Sequence, residues 1–326
     1  MEYRSPIRNR QPSRRHRTAI CSAVMLLAAA LPLKAADLKF DDDKPGGLSA
    51  EDIAGAIPTP SEEVTPEALE EMKQRYRQQN PGALEFQSKD TDTDVGAIGV
   101  PEQIDNPGAN NPYWSTGALF YKKEDGDTYQ CTAQFTNDLK VILTAAHCVY
   151  NTAAAKGKGA WNSDFEFQRG YTNGATLQKV GWRCVSIFDA YHSPSKNYAY
   201  DYAFILTDKN DEKPPLALQF SIPSTKPLTA VGYPDNFGGS EYLYKVDGAW
   251  AGVDGGIVTM TGNPMRHGNS GGAWFSKFKV DGGDTDNQVV SVNSHHLTGN
   301  TTDENGPVFT ADTDRLYRHV RDGGCL

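Results

Sequence analysis

The sequence Gly268-Asn269-Ser270-Gly271-Gly272 places one serine among glycines, a pattern typical of a tight turn. Such a turn exposes the hydroxyl group and lets nearby backbone N–H groups point at one spot. Nucleophilic catalysis needs this geometry, because the serine oxygen attacks while the N–H groups of Gly268 and Ser270 hold the developing oxyanion. On its own the motif favours an ordinary glycine-rich β-turn. Other motifs of the chain are needed to distinguish that turn from the site of a catalytic serine.

A second motif, TAAHC at residues 144–148, follows the apolar run at residues 141–143. A histidine at a strand end, beside small residues, can face a cleft and act as a general base. An isolated histidine is more often an ordinary loop residue. Here Cys131 lies on the preceding predicted strand, so a disulfide to Cys148 could pin the loop of His147. Closing a loop of that size is worth roughly 3 kcal/mol.

A third motif, YDYAFIL at residues 200–206, puts Asp201 at the mouth of an apolar strand. A partly buried carboxylate must find a hydrogen-bond donor. The ring N–H of a histidine is such a donor, and the pair would fix the ring's tautomer and steady the imidazolium. The alternative is an aspartate that caps a turn. Asp189 competes for the pairing role but has no apolar strand directly behind it.

Together, these motifs resemble the chymotrypsin-like serine proteases, in the chain order histidine, aspartate, serine, over about residues 95–326. The similarity is greatest to the bacterial glutamyl-endopeptidase-like branch, in which asparagine precedes the serine. The resemblance implies that His147 is the general base, Asp201 its orienting partner and Ser270 the nucleophile. It also implies an oxyanion hole from the N–H groups of Gly268 and Ser270. The implied fold is all-β, with two antiparallel β-barrels, the site between them and a short C-terminal helix.

Several positions before the serine depart from the digestive trypsins. Asn269 is neutral, so it cannot pair with a newly cut N-terminus as an aspartate does there, and trypsin-style activation is not expected. Pro264 stands where trypsin-like enzymes carry the acid that binds lysine or arginine, so cleavage after basic residues is not expected. Pro264 and Met265 are candidate substrate-binding residues. Arg266 is either a source of positive charge for the pocket or a solvent-exposed charge.

One wall of the specificity pocket is expected from the strand at residues 289–294 and the histidines after it. Glutamyl endopeptidases use a histidine on this wall to bind the substrate carboxylate, and the register places Asn293 or His295 there. Because adjacent residues of a strand face opposite ways, at most one of His295 and His296 points into the pocket. Asn293, Ser294 and His295 are therefore candidate substrate-binding residues, and a preference for Glu or Asp is a hypothesis.

The first 36 residues are expected to be an export signal. Residues 1–17 carry six arginines and one acid, an apolar run extends from Ala19 to Leu33, and small residues follow. This order is typical of a secretory signal, and the run is too short for a spanning helix. A basic amphipathic anchor is the alternative. Export predicts a secreted or periplasmic protein.

The charge of the remaining chain limits its partners. Without residues 1–36 the chain has 25 basic and 40 acidic residues, a net charge of −15. This balance argues against nucleic acid or an anionic membrane as a partner, since both attract basic surfaces. Protein or peptide substrates are expected, and no cofactor is implied. The sequence does not decide the oligomeric state, for which a monomer is the simplest expectation.

Four cysteines follow the signal, an even number that favours two disulfides in an exported chain. If Cys131 pairs with Cys148, then Cys184 pairs with Cys325, which would tie the terminal helix to the first barrel. Free or intermolecular thiols are the alternative. No Cys/His spacing indicates zinc, and the acidic loop at residues 281–287 lacks the full calcium-loop pattern. No metal site is expected.

Residues 37–94 form a distinct acidic segment, with 15 acidic and 6 basic residues. Two interpretations compete: a propeptide that covers or helps to fold the domain behind it, or a disordered acidic spacer. The downstream motifs favour the propeptide. Within the segment, Pro66–Arg77 predicts one amphipathic helix, with acids early and bases late. Processing is expected around residues 94–107.

From Val95 the sequence changes to short apolar or alternating runs separated by turn residues, which favours an all-β fold. Two clusters of strands predict two packed barrels, with a boundary near residues 208–221 and a short helix at Thr313–Arg321. The predicted strands are Ser115–Tyr121, Tyr129–Phe135, Val141–Thr144, Asp164–Arg169, Val180–Phe188, Ala203–Thr207, Leu228–Gly232, Tyr242–Ala249, Gly256–Met260, Gly272–Phe275 and Val289–Asn293.

The combined interpretation is an exported serine endopeptidase, made with a signal and an acidic propeptide. It is expected to hydrolyse peptide bonds through an acyl-enzyme. Two alternatives remain: a catalytically silent protein of protease fold that serves as a binding or adhesion module, and an esterase-like hydrolase that uses the same triad.

Overall fold

The computed structural model describes residues 33–41, 47–83, 86–87, 99–192, 196–221 and 227–326. The export signal expected at residues 1–36 lies almost wholly outside these residues, and so does the part of the processing region before residue 99. Among the helices of the described residues, none combines the length and the apolar character that crossing a membrane requires.

The described residues form a mostly β structure with short helices. The strands, in chain order, are β1 (Ala35–Lys39), β2 (Ile57–Pro58), β3 (Glu62–Val64), β4 (Phe86–Gln87), β5 (Glu102–Ile104), β6 (Thr116–Lys122), β7 (Thr128–Phe135), β8 (Val141–Thr144), β9 (Tyr150–Asn151), β10 (Ala160–Trp161), β11 (Ser163–Arg169), β12 (Gln178–Val180), β13 (Trp182–Phe188), β14 (Ala203–Thr207), β15 (Pro227–Gly232), β16 (Leu243–Asp254), β17 (Ile257–Thr261), β18 (Ala273–Ser276), β19 (Gln288–Val292), β20 (His295–Leu297) and β21 (Asp303–Pro307). The α-helices are α1 (Ala50–Ala54), α2 (Pro66–Gln79), α3 (Ala154–Gly157), α4 (Asp235–Gly238) and α5 (Ala311–Arg321).

Two large sheets carry almost all of these strands. The first has the order β1-β13-β14-β8-β7-β6-β11-β12, and the second has the order β19-β18-β15-β16-β17-β21-β20-β3. Neighbouring strands are antiparallel except in two pairings made by strands of the N-terminal segment, β2 with β7 and β3 with β20, which are parallel. The expected all-β fold is confirmed, with the C-terminal helix in place.

Every strand predicted from the sequence is present, with ends shifted by a few residues. The run predicted as one strand at Val180–Phe188 is divided into β12 and β13 at Gly181, whose N–H donates to Asp208 Oδ1 at 2.8 Å. The first sheet's last strand ends at Thr207, and the second sheet's strand β15 begins at Pro227.

Aromatic side chains join the two sheets. Phe120 on β6 packs edge-on against Tyr171, with ring centres 5.4 Å apart. Tyr171 in turn packs against Tyr233, which follows β15, at 5.9 Å. The Tyr233 hydroxyl donates to the Tyr171 carbonyl at 2.9 Å, so this buried polar group is satisfied. The contact between the sheets is therefore specific as well as apolar.

The segment before residue 95 is built into this fold. Strand β1 pairs with β13 over five residues. Helix α2 begins after Thr65, whose side chain caps the Ala68 N–H, and it buries Leu69 and Tyr76. Lys73 and Arg77 from the same helix form ion pairs with Asp254 at the end of β16. The helix predicted here is confirmed and extends to Gln79.

The C-terminal helix α5 packs on the first sheet. Thr310 caps it, so the helix starts two residues earlier than predicted. Its apolar face is buried, and Tyr317 lies against Phe204 of β14 with ring centres 5.7 Å apart. A disulfide from Cys184 in β13 to Cys325 fixes the end of the chain beside this helix.

Removing the Cys184–Cys325 disulfide should destabilise the protein strongly. The bridge closes a loop with a sequence separation of 141, and a loop of this length is worth about 5 kcal/mol in the chain-entropy model. We expect the double variant Cys184→Ser, Cys325→Ser to show a clearly lower urea midpoint than the parent chain. An unchanged midpoint would show that helix α5 is held by its apolar face alone.

Candidate active site

The pairing of β8 with β14 brings the histidine and aspartate motifs together. These strands are antiparallel, and Thr144 at the end of β8 lies opposite Ala203 at the start of β14. The residues just after β8 and just before β14 must therefore meet at the same edge of the sheet. His147 and Asp201 occupy these positions.

Asp201 holds His147 through two hydrogen bonds. The His147 backbone N–H donates to Asp201 Oδ1 at 2.9 Å, and the ring Nδ1 lies 2.8 Å from Oδ2. The Ser294 hydroxyl donates to the same Oδ2 at 2.6 Å. Asp201 has no exposed surface, so these donors replace the hydrogen bonds that its carboxylate would make to water. Asp189, the competing acid, is exposed and lies outside this group.

The charge on Asp201 is stabilised by its surroundings. Burial alone would raise the pKa of this carboxyl, but the charge and hydrogen bonds of His147 and the Ser294 hydroxyl hold it below its usual value. An ionised Asp201 accepts a hydrogen bond from the protonated Nδ1 of His147. The free lone pair of the imidazole ring then lies on Nε2. In the described part of the chain, His147 Nε2 is buried and has no hydrogen-bond partner. This nitrogen is available to take a proton.

The serine turn lies directly against the histidine loop. Gly271 has a φ of +83°, and a Cβ there would meet the Ala145 nitrogen at 2.7 Å and the Thr132 carbonyl at 2.4 Å. Only glycine combines this left-handed conformation with so close an approach. The Ser270 carbonyl also accepts the Thr132 N–H at 2.8 Å, which anchors the turn to β7. The turn thus belongs to the second sheet but is fastened to the first.

The Gly268 N–H, one of the two expected oxyanion donors, already has a partner. Gly268 also has a positive φ of +75°, a left-handed conformation that glycine adopts without steric cost. This N–H donates to the Thr59 carbonyl at 2.9 Å. A carbonyl oxygen from the N-terminal segment therefore occupies the position expected for the oxygen of a substrate.

Thr59 belongs to residues 57–64, hereafter the covering segment, which crosses both sheets. Its first part, β2, pairs with β7, and its last part, β3, pairs with β20. Between them Ser61 and His267 exchange two hydrogen bonds, at 2.9 and 2.7 Å. A cavity of about 170 Å³ beside His147 is lined by residues 59–62 and by walls that include Lys123. The covering segment therefore encloses the histidine, which is only 5% exposed.

Two neighbouring acids of the covering segment bind two cations of the cleft. Glu62 accepts from Lys196 Nζ at 2.7 Å and from the Tyr198 hydroxyl at 2.8 Å. Glu63 forms an ion pair with Arg266 at 3.3 Å. Arg266 is thus neither a free surface charge nor directed at an empty pocket, because it holds the covering segment.

The residues expected on the pocket wall have different roles. Asn293 is fully buried, and its side chain bonds to groups that include Trp274, Asn263 and the Val231 carbonyl. This network makes Asn293 an internal support of the wall, so its amide does not face a substrate. Ser294 supports Asp201, as described above.

His295 packs against Tyr198, with ring centres 4.3 Å apart and ring planes inclined at 30°. Burial lowers the pKa of His295 to about 3, so the ring is neutral and supplies no positive charge. The adjacent His296 points the other way, as expected for neighbouring strand residues. Its Nδ1 and Nε2 lie 2.8 and 3.1 Å from the carbonyl oxygens of Asp303 and Met265.

The asparagine before the serine is bound to a buried glutamate. Asn269 Nδ2 lies 3.1 and 2.9 Å from the two carboxylate oxygens of Glu304 and 3.3 Å from the Met265 carbonyl. Burial raises the pKa of Glu304 well above its usual value, although the bond from Asn269 favours the ionised form. Met265 is itself fully buried, while the Pro264 carbonyl accepts a hydrogen bond from Asn236.

A metal does not fit the one suitable cluster found in the described residues. The ligand atoms of Cys131, His147 and Cys148 lie within 4.8 Å of one another. The two sulfurs, however, are joined in a disulfide, so neither is a thiolate that could bind zinc. This disulfide instead fastens the histidine loop to β7.

Sequence reasoning does not find Thr59, Glu62, Lys196, Tyr198 or Glu304. In the sequence Glu62 and Glu63 are only part of an acidic segment, and Lys196 precedes the aspartate motif without forming a pattern of its own. The parallel pairing of β3 with β20 has no local signature, since it joins residues more than 200 positions apart.

Solved structures share this fold at low sequence identity. The protease Anisep from Arthrobacter nicotinovorans is 22% identical with a TM-score of 0.55, and the match covers 67% of this chain and 97% of that one. A Glu endopeptidase solved in complex with MPD is 21% identical with a TM-score of 0.54, over 70% and 98% of the two chains. The human heparin binding protein is 12% identical with a TM-score of 0.51, over 69% and 97%.

These matches establish the fold. The sequence matches no protein-family model and no curated protein sequence. The chain therefore has the chymotrypsin-like serine protease fold, and the resemblance seen in the three motifs is confirmed at that level.

Changing Asn269 to Asp should destabilise the protein in a pH-dependent way. The new carboxylate would face both oxygens of Glu304 in a buried site, which we expect to cost about 3 kcal/mol at pH 8. Two carboxylates in one site raise each other's folded-state pKa. Stability is then present at low pH and is lost as the pH rises through that raised pKa, so the difference from the parent should shrink at pH 5.

Urea unfolding of Asn269→Asp at pH 8 and pH 5 measures this effect. The exposed position Asn173 offers a matched control, because Asn173→Asp adds the same charge without a buried neighbour. Equal stability losses for the two variants at pH 8 would contradict the role assigned to the Asn269–Glu304 contact.

Proposed function

We propose that the protein is an exported serine endopeptidase that cleaves peptide bonds through Ser270, His147 and Asp201. The observation that carries the proposal is the buried His147–Asp201 pair, with His147 Nε2 unpartnered beside the glycine turn of Ser270. The fold supports it, since two solved structures that share it bear the names protease and Glu endopeptidase.

The reaction follows from the protonation states of these groups. The Ser270 oxygen attacks the substrate carbonyl carbon while His147 Nε2 takes the hydroxyl proton. Asp201 stays ionised and stabilises the imidazolium. The N–H groups of Gly268 and Ser270 bind the oxyanion. His147 then gives its proton to the leaving amine, an acyl-enzyme remains, and water releases it by the same steps in reverse.

The same proposal includes export and a specificity that is not for lysine or arginine. Two disulfides in the structure suit an oxidising compartment, secreted or periplasmic. Pro264 brings no acid to bind a lysine or arginine side chain. Substrates are proteins or peptides.

We also propose that residues 37–94 are an inhibitory propeptide. The covering segment places a carbonyl on the Gly268 N–H and encloses His147, so a substrate cannot reach either group while the segment is bound. In the described structure no hydrogen bond joins His147 Nε2 to the Ser270 hydroxyl. Catalytic hydrogen bonds often tighten only when substrate binds, and removal of the segment would clear the way.

A catalytically silent binding module is the second candidate. The similar fold of a protein named for heparin binding favours it, although the shared fold does not transfer that partner. An esterase-like activity of the same triad is the other alternative.

Reaction with a fluorophosphonate probe tests the proposed chemistry. The full chain is folded first and then cut at an engineered site within residues 88–98, so that the covering segment can leave. We expect labelling that is lost in Ser270→Ala, because only an activated serine attacks phosphorus rapidly. Asp201→Asn should slow peptide cleavage by about 10⁴-fold, because the histidine loses its correct tautomer.

Absence of labelling in a folded, cut chain would favour the binding module. Labelling with cleavage of esters but not of peptides would favour the esterase. Recovery of secreted protein whose N-terminus lies within residues 37–90 would contradict the assignment of residues 37–94 as a propeptide.

Removing the charges of the two acids of the covering segment should make the site accessible in the uncleaved chain. In the variant Glu62→Gln, Glu63→Gln the ion pairs with Lys196 and Arg266 are lost. Each partly buried pair is worth on the order of 1 kcal/mol, so we expect probe labelling of the intact chain to be at least about tenfold faster.

The matched control is Glu67→Gln, Glu71→Gln, which removes two exposed acids on helix α2. This control changes the net charge equally and should label at the parent's rate. Equal rates for all three intact chains would contradict inhibition by the covering segment.

A further inference from the structure

The cleft contains a carboxylate-binding position that the proposed triad does not use. Lys196 Nζ and the Tyr198 hydroxyl both contact Oε2 of Glu62, at 2.7 and 2.8 Å. A single carboxylate oxygen thus receives one charged and one neutral donor, which is the strong type of hydrogen-bond arrangement. Burial opposes ionisation of Glu62, but Lys196 and His147 hold the pKa of this carboxyl below its usual value.

The two donors are positioned by the protein and not only by Glu62. Tyr198 begins a short 3₁₀ turn, Tyr198–Tyr200, which Asn197 caps by accepting the Ala199 N–H at 3.1 Å. This turn leads directly into Asp201. The Tyr198 ring is fixed by packing against His295, and Lys196 Nζ lies 4.9 Å from the centre of the same ring. Because His295 is neutral, it forms a wall of this position without supplying charge.

The position lies within reach of a bound peptide. Glu62 is three residues after Thr59, whose carbonyl sits on the Gly268 N–H. Extended chain covers about 3.3 Å per residue, so the carboxylate position is roughly 10 Å along the chain from the oxyanion donor. Glu62 also lies opposite His295 in the pairing of β3 with β20, so an extended peptide on this strand edge would pass the same place.

The charges of the cleft explain which side chain would be preferred there. The chain is acidic overall, yet Lys196 and Arg266 face the covering segment. The acids that neutralise them, Glu62 and Glu63, both belong to that segment. When the segment leaves, its acids leave with it and the cations stay. A substrate with an acidic side chain would restore the lost pairing.

We propose that Lys196 and Tyr198 form a subsite for the carboxylate of a peptide substrate, so that the enzyme favours Glu or Asp about three residues from the bond it cuts. The covering segment binds there as an internal mimic of such a substrate. This inference rests on the proposed endopeptidase function and names its substrate class.

Pairs of peptides that differ only by Glu or Gln at one position test the subsite. The enzyme is the full chain, folded and then cut within residues 88–98. The ratio of kcat/KM for the two peptides of a pair does not depend on how much enzyme is still covered. At one position about three residues from the scissile bond, we expect Glu to be favoured about tenfold.

Two variants assign the preference to its residues. Lys196→Met keeps the apolar stem but loses the charge, and it should bring the Glu-to-Gln ratio close to one. Tyr198→Phe keeps the ring packed against His295 but loses the hydroxyl, and it should lower the ratio by a few fold. Lys140→Met, which removes an exposed lysine from the turn before β8, should leave the ratio unchanged.

The outcomes separate this inference from the proposed function. A ratio near one at every position, in enzyme whose Ser270 reacts with the fluorophosphonate, would overturn the subsite and leave the endopeptidase standing. A preference that survives in Lys196→Met would also overturn it. If Ser270 does not react at all, binding of a synthetic peptide of residues 56–65 still tests whether the subsite exists. Equal affinity for this peptide and for its Glu62→Gln form would exclude the subsite.

Discussion

The buried carboxylate of Asp201 is the group on which the arrangement of the site depends. An ionised carboxylate without access to water requires donors on its oxygens, and here they come from two places. His147 supplies two from the end of β8, and the Ser294 hydroxyl supplies another from the connection between β19 and β20. Because β8 belongs to the first sheet and β19 to the second, satisfying one charge brings the edges of both sheets together. The positions of His147, Asp201 and the residues before β20 are thereby fixed by a single electrostatic requirement.

The glycine turn completes this junction from the other side. Ser270 precedes β18 of the second sheet, but its carbonyl is bound by Thr132 of the first, and Gly271 leaves no space for a side chain against Ala145. Ser270 is thus held by backbone contacts of the turn. This leaves its hydroxyl for the nucleophilic role proposed above. Asn269, next to it, is held by Glu304 instead of by a chain terminus, so the turn is ordered without an ion pair to a new N-terminus.

How much of this could be predicted depends on how local each signal is. The strands next to His147 and Asp201 follow from the short apolar runs at residues 141–143 and 203–206, and the motifs at their ends mark the side chains that meet. Tyr198 and Lys196 lie in a connection without periodicity, so only their contacts reveal them. The internal role of Asn293 was equally hidden, because the register of β19 against β18 contains a shift between Trp274 and Phe275 that alternation alone does not show. The sequence predicts the covering segment as part of an acidic propeptide or spacer, but not where it binds, since its parallel pairing with β20 is a long-range contact.

The covering segment carries information about the cleft because the two must be complementary. A segment that blocked the site only by bulk would need no particular charges, and apolar residues would serve. This one places Glu62 and Glu63, which face opposite ways on an extended strand, against a cation on each side. Ion pairs at a partly solvated surface each add a modest affinity, on the order of 1 kcal/mol, and they also select which chain is accepted and in which register. If the covering segment is the inhibitor proposed above, the cations that bind its acids become available to a substrate once the segment leaves. The acids of the segment then indicate the kind of side chain that the proposed subsite would accept.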